Sequence, residues 1–456
     1  MGVDELLAEL TVVKAENAAL RAELEEIKRL LRRNSTNSSA PPSGDPPDVS
    51  RRKKKPTGKK RGGQRGHKGT ARLLVPVSKV DRVVEHAIEG ACECGCSEVI
   101  LRAPERRQVF ELPAIKPEIT EHRRHRGWCQ QCRRRRRAVL PRWVRSGLLG
   151  PRAQAFIASL TGAYQMSRRD AERFLAENLG LKISLGTVSS TEAVVSEALA
   201  PAWEQAREHV RAAPIKNIDE TTHAGPDGKT AWVGSTPEAA CLQVGLDRSR
   251  ASLVAFVGLV GLAIGIFGTD RYVVYDCIPT ARRQLCWAHI VRTFQALVDD
   301  GGEPERVGLM LLELTRQVLH AWNEWKRGRK KRDEIEPVLR RSRADLERLL
   351  STYIELPGLR TLAHAFVLTP ESVWLFTTNA DVDPTNNRAE RDLRMLVMWR
   401  RTSFGTQSAR GDRFLERILT VTQTLRRQGA RLLGFLVDSL QACLVPSAAP
   451  RLLPSR

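Results

Sequence analysis

No packed fold can cross the stretch from Asn34 to Thr70. It is rich in Ser, Pro, Gly, Lys and Arg and almost free of large apolar side chains, so burial cannot offset the entropy of ordering it. The chain therefore reads as a short N-terminal segment, a tethered basic arm (residues 34–75) and a body. Ten Lys and Arg lie between Arg51 and Lys68, more than a solvating linker needs. Arms of this kind bind phosphates non-specifically by releasing counterions, and the candidate DNA contacts are Arg51, Arg52, Lys53, Lys54, Lys55, Lys59, Lys60 and Arg61.

Ahead of the arm, residues 1–33 place Val3, Leu6, Leu10, Val13, Leu20, Leu24, Ile27 and Leu31 at alternating three- and four-residue spacing. That is a heptad seam, and Asn17 takes an a position, where a buried amide fixes register in parallel coiled coils. A parallel homodimer or higher oligomer through residues 3–31 is expected; an amphipathic helix docked on its own body is the alternative. The first residues lack the cationic region and continuous apolar core of a signal peptide, which points to the cytoplasm.

The formal net charge is +22. From Arg51 to Arg145 there are 27 basic and 9 acidic residues, so 27 − 9 = +18 falls in that module, which favours a polyanionic partner. Five of the nine cysteines fall between Cys92 and Cys132. Cys92, Cys94 and Cys96, then Cys129 and Cys132, flank a β-like stretch at Gln108–Pro113, as a tetrahedral structural zinc site asks. Cys92, Cys94, Cys129 and Cys132 are the expected ligands, with Cys96 an alternative and His122 and His125 competing, in a zinc-binding module over residues 76–145. Arg133, Arg134, Arg135, Arg136 and Arg137 follow and extend the phosphate-binding surface.

Residues 146–213 read as helices, with a helix-turn-helix as one option for DNA reading. After Pro214 strand-like pieces begin: Ile215–Glu220, Thr230–Gly234 and Cys241–Leu246, then the apolar Ala263–Phe267 (core, residues 214–284). Asp219 and Asp270 stand at strand ends, where acids project from a sheet edge and share hard divalent cations; Asp276, after Tyr272–Tyr275, rivals Asp270. Residues 251–269 carry no charge, and are read as a buried helix and strand rather than a membrane span. Residues 285–380 are mostly helical and highly charged. Residues 381–445 hold Glu390 in the first turn of a helix, where a capping box with Asn387 is the structural alternative; residues 446–456 form a tail. Cys286 and His289 have a ligand-like spacing that packing explains equally well, and Trp399–Gly405 interleaves aromatic and basic residues that suit either DNA contact or the core.

The runs Gly62-Gly-Gln-Arg-Gly-His67, Asp219-Glu-Thr221, Thr269-Asp-Arg-Tyr-Val-Val-Tyr275, Gln284-Leu-Cys-Trp-Ala-His289, Asn386-Asn-Arg-Ala-Glu-Arg391 and Ser403-Phe-Gly-Thr-Gln-Ser408 together resemble the transposases of the insertion sequence 66 family, in the family's order. The resemblance implies a multidomain α/β protein: N-terminal coiled coil, zinc-binding module, helical DNA-binding region, and a ribonuclease-H-like catalytic core with an all-helical insertion between the second and third acids. It implies a DDE transposase with Asp219, Asp270 and Glu390 as catalytic acids holding two Mg²⁺ ions, or Mn²⁺. The family's Asp-x-Tyr pattern selects Asp270 over Asp276. Glu220 is expected to point to the opposite side of the strand. Arg388, Arg391 and Arg394, flanking Glu390, are candidates to hold DNA phosphates, with a merely exposed helix face as the alternative for each.

The partners implied are double-stranded DNA, both element ends and target, and accessory proteins of the same element. No membrane is expected, and the setting is the bacterial cytoplasm, associated with the nucleoid. A non-catalytic zinc-containing DNA-binding protein derived from a transposase is the competing reading.

Overall fold

The computed structural model describes residues 2–38, 45, 73–88, 93–94, 103–141, 144, 148–223, 228–445 and 448–454. The basic-arm contacts from Arg51 to Arg61, the Gly62–His67 run, Cys92 and Cys96 lie outside the described residues. The chain divides into two compact units, Ser50–Pro117 and the remainder.

In the smaller unit the β-like stretch at Gln108–Pro113 is not a strand. Val109 and Leu112 are 92% and 84% exposed, and the Gln108 side-chain amide pairs with both backbone groups of Val75, at 2.8 Å each. Alternating β-formers without a neighbouring ladder do not make a sheet.

The larger unit begins with α1 (Val3–Leu31). Its seam does not dock on the body: Leu10, Val13, Leu20, Leu24, Ile27 and Leu31 are all exposed. Beyond its end the chain is tied to the body, where Arg33 reaches Asp300 at 3.0 Å and Asn37 donates to Asp299 at 2.9 Å. β1 (Arg126–Trp128) and β2 (Arg135–Arg137) form an antiparallel hairpin. Four helices follow: α2 (Pro151–Thr161), α3 (Arg168–Leu179), α4 (Leu185–Ala198) and α5 (Ala200–Ala212). Ser167 and Ser184 cap α3 and α4 by accepting from the backbone N–H groups of Asp170 and Thr187, which satisfies helix-start donors that have no intrahelical partner.

The centre is a five-stranded mixed sheet built from β3 (Ile215–Thr222), β4 (Thr230–Ser235), β5 (Ala240–Leu246), β6 (Ile266–Thr269) and β7 (Arg283–Leu285), in the order β5-β4-β3-β6-β7. β3, β4 and β5 pair antiparallel, while β6 pairs in parallel with β3 and β7. The uncharged run before Asp270 breaks into α6 (Arg250–Val257), α7 (Leu259–Ile264) and then β6. Gly258, at φ 77°, ends α6 in a conformation that side chains rarely adopt. The expected burial holds for Leu253, Phe256, Val257 and Phe267, but Leu259, Val260 and Ile264 are exposed. Among the described residues no helix is long and apolar enough to cross a membrane.

After β7, α8 (Trp287–Asp300), α9 (Gly302–Lys326), α10 (Arg332–Thr352), α11 (Arg360–Leu368) and α12 (Pro370–Thr378) enclose a second core around Trp287, Phe366, Trp374 and Phe376. Trp287 Nε1 donates to the Val373 carbonyl at 2.8 Å, and Phe376 N donates to Gln284 Oε1 at 2.8 Å, so the helical block returns to the sheet edge where it left. α13 (Asn387–Ser403), α14 (Ala409–Arg427) and α15 (Leu432–Leu444) close the first core.

The edge strand β5 shows how α14 is placed. Val244, Leu242 and Ala240 donate their backbone N–H groups to Glu416, Thr420 and Thr424, at 3.1, 2.9 and 3.2 Å. Four helical residues advance about 6 Å and two strand residues about 6.8 Å, so side chains at i, i+4 and i+8 meet alternate strand donors and leave no open edge.

Burial pushes the Glu416 carboxyl up to about 7. The native state therefore binds its proton more tightly than the unfolded chain, and stability falls as pH rises from the ordinary carboxylate range through about 7. Glu416→Gln keeps the acceptor for Val244 without the charge. It is expected to flatten that slope and to be more stable than wild type above pH 7, by up to about 3 kcal/mol. Denaturant melts at acid and slightly alkaline pH check this; an unchanged slope counts against it.

Candidate active site

β3 and β6 run in parallel with Ile215 opposite Ile266 and Asn217 opposite Gly268. Two residues further along this register, Asp219 and Asp270 stand on neighbouring chains at the same sheet end and, two being the side-chain period, on the same face. Neighbouring strands are about 4.8 Å apart. The Asn217 side-chain amide lies over Gly268, where a Cβ would clash with its Nδ2.

Glu390 arrives from the far end of the chain. The start of α13 is fastened to β3, with Asn386 Nδ2 donating to the Ile218 carbonyl at 2.8 Å and Arg388 donating to Asn217 Oδ1 at 3.0 Å and Asp383 at 2.8 Å. It is fastened to α8 as well, because Asn386 N donates to Cys286 Sγ at 3.1 Å and Trp287 N to the Pro384 carbonyl at 2.9 Å. Glu390 then faces α8: Oε2 accepts from Arg292 at 3.2 Å, and Oε1 lies 3.7 Å from His289 Nδ1. Glu390 thus makes a contact across the molecule and not a capping box. Asn386 is the residue flanking the helix, and its side chain makes no cap bond.

The charges interact. Burial raises the Asp219 carboxyl well above the ordinary range, and the negative charges of Glu220, Asp270 and Glu390 add to the effect. Burial also raises Asp270, against the Tyr272 N–H and the guanidinium groups of Arg283, Arg248 and Arg271. Glu220 is engaged elsewhere, accepting from Arg248 at 2.9 Å and from the Tyr275 hydroxyl. The Tyr272–Tyr275 run, strand-like in composition, leads instead into a 3-10 turn (Val273–Cys277), and Asp276 there is half exposed and paired with Arg283 at 2.7 Å. Beside Glu390, burial and the neighbouring Arg292 and Arg271 push the His289 imidazole down to about 3, and burial pushes the Cys286 thiol up to about 11.

Oxygen donors crowded until their own charges oppose ionisation are chemically suited to hard divalent cations. Asp219, Asp270 and Glu390 are the residues that would hold them.

The expected DNA-contacting arginines divide. Arg388 is spent on Asn217 and Asp383 and is a structural clamp, while Arg391 and Arg394 are exposed. Arg133, Arg134, Arg135, Arg136 and Arg137 are exposed on and before β2, with Arg135 stacked 4.8 Å from the Trp128 ring centroid. Cys129 and Cys132 sit at the turn of the β1–β2 hairpin, and Cys129 is bonded through N to the Arg134 carbonyl and through O to Arg133 N, at 2.9 and 2.8 Å. Hydrogen bonds from the Cys132 and Gln131 side of the turn hold the Cys129 thiol below its ordinary value. Cys94 is exposed in the smaller unit. Trp399 packs inward, with Nε1 on the Thr161 carbonyl at 2.9 Å, whereas Phe404 is 80% exposed.

Residues 146–413 match the family described as Transposase IS66 family. This chain belongs to the IS66 transposase family. Residues 2–73 also match a family of unknown function, DUF6444, and no curated protein matches the chain. Transposition is the function that IS66 family membership implies. In this IS66-family chain, sequence reasoning missed Asn386, Asn217 and Arg292 as the residues that set Glu390. The Cys286–His289 spacing was the available signal for the α8 face, but the residues it meets come from beyond the whole helical insertion.

Proposed function

We propose that the protein is a DDE transposase whose reaction centre is Asp219, Asp270 and Glu390. The observation that carries this reading is the convergence of three acids from distant segments, two set side by side by the β3–β6 register and the third by the Asn386 and Arg388 ties. The sheet order, three antiparallel strands followed by two parallel ones, supports a ribonuclease-H-like core.

The reaction is hydrolysis of a strand at the element's end, then transfer of the freed 3′-hydroxyl to a target phosphodiester. Neither step needs a covalent protein intermediate. Two Mg²⁺ ions, or Mn²⁺, held by the three acids would supply activation of the attacking oxygen and stabilisation of the leaving one. The chain's own residues orient Glu390 through Arg292 and present Arg391 and Arg394 to phosphates.

The exposed arginines of β2 and the arm give a salt-dependent grip on duplex DNA, and the exposed seam of α1 fits a second copy in a coiled coil. Cys129 and Cys132 suit a structural zinc, since a turn with paired N–H groups and a depressed thiol favours thiolate ligation.

Phe404 is left-handed at φ 59°, exposed, and three residues after the exposed Arg401. A bulky side chain held in that region is strained, and the role proposed for it is stacking on bases at the element end. Phe404→Ala is then expected to weaken terminal-repeat binding by about 1–3 kcal/mol, with Phe404→Trp near wild type; equal affinity for all three by fluorescence anisotropy refutes the stacking.

The overall reading is tested with purified protein, Mg²⁺, candidate accessory proteins and a labelled duplex carrying the terminal repeat. Cleavage exposing a 3′-hydroxyl, followed by joined products, supports it. Binding without cleavage moves the protein to the non-catalytic DNA-binding reading.

A further inference from the structure

The face of α8 that meets Glu390 holds three different donors. Cys286, His289 and Glu390 each present a ligand atom, and these atoms all lie within 4.8 Å of one another. Cys286 and His289 are 1% and 9% exposed. His289 Nδ1 and Glu390 Oε1 are both buried with no hydrogen-bond partner, 3.7 Å apart. Leaving two such atoms unpaired is costly, and the gap is too long for a hydrogen bond between them. It is close to the spacing of two ligands on one ion, because metal bonds of about 2.0–2.2 Å at a tetrahedral angle set the ligand atoms roughly 3.5 Å apart.

We propose that Cys286, His289 and Glu390 bind one transition-metal dication of the zinc class, in a state in which Glu390 is withheld from the ions expected at Asp219 and Asp270. A thiolate, an imidazole and a carboxylate select zinc or cobalt over magnesium. The thiol proton leaves to solvent as the ion enters, and the Asn386 N–H, already on Cys286 Sγ at 3.1 Å, supports the thiolate from outside. Three protein ligands leave one coordination position open. The ion ties the first helix after β7 to the helix carrying Glu390, across the helical insertion, and fixes Oε1 while Oε2 remains directed at Arg292. The proposal uses the position of Glu390 and not the DNA reaction, so its test needs no DNA.

The full-length chain carrying Cys92→Ser, Cys94→Ser, Cys96→Ser, Cys129→Ser and Cys132→Ser, which removes every thiol of the expected zinc-binding module, is stripped with a chelator and titrated with Co²⁺. The expected result is a sulfur-to-cobalt charge-transfer band with intense four-coordinate d–d absorption. Added Cys286→Ser should abolish the charge-transfer component, and His289→Gln, which keeps the thiol, should weaken Co²⁺ binding at least about 10-fold. Far-UV circular dichroism confirms that the variants are folded, and His289→Gln alone decides the matter if Cys286→Ser does not fold. A spectrum and affinity unaltered by His289→Gln, or a thiolate band unaltered by Cys286→Ser, overturns the proposal.

Discussion

Asp219→Asn is expected to lower strand cleavage by roughly 10³-fold or more and, in the absence of divalent cations, to raise the melting temperature. The two effects have one cause. Burial and the charges of Glu220, Asp270 and Glu390 raise the Asp219 carboxyl well above the ordinary range, so its protonated form is the one the fold prefers. A raised acid makes the native state bind protons more tightly than the unfolded chain, and stability is lost as pH climbs from the ordinary carboxylate range through the raised value. Asparagine removes that loss. Each kcal/mol recovered is worth about 2–4 °C in a domain of this size. Mg²⁺ should stabilise wild type by relieving the same repulsion and should stabilise Asp219→Asn far less. Scanning calorimetry with and without Mg²⁺ reads both; a variant that melts below wild type without metal contradicts the crowding of acids.

Asn386→Ala is expected to lower cleavage by about 10²-fold while leaving DNA affinity unchanged. Asn386 is fully buried, and its amide holds the Ile218 carbonyl one residue before Asp219. Removing it frees the start of α13 from β3 and displaces Glu390, and an error of about 1 Å in a reacting group costs on the order of 10²-fold. Loss of the buried bond also destabilises by about 1–3 kcal/mol. The neighbouring Asn387 is exposed, so Asn387→Ala should be silent in single-turnover cleavage. A large effect at Asn387 and none at Asn386 would restore the capping explanation for Glu390.

The elements most legible in the sequence are those whose pattern matches one period. The strands β3, β4 and β5 appear where alternation and β-branched residues occur, and residues 146–213 form helices as their sequence reads. Legibility fails where tertiary neighbours decide. Tyr272–Tyr275 has the composition of a strand but pairs with no strand among the described residues, and it leads into a 3-10 turn. The run from 251 to 269 is uncharged throughout, yet Gly258 splits it, and Leu259 and Val260 are exposed.

At the candidate site, the acids could be chosen by motif, but their supports could not. Arg388 looks like a phosphate contact because it is basic and beside Glu390. Its role as a clamp depends on Asn217, far away in sequence but 3.0 Å away in space. His289 likewise reads as packing until α13 brings Glu390 against it. Spacing along one helix records only the ligands on that helix.

The most direct test of the proposed centre compares Asp270→Ala with Asp276→Ala in Mg²⁺-dependent cleavage of a terminal-repeat duplex. Asp270 continues the register that places it beside Asp219, while Asp276 is half exposed and paired with Arg283. Loss of the 3′-hydroxyl product with Asp270→Ala and its retention with Asp276→Ala is the predicted result. Retained cleavage with Asp270→Ala would contradict it.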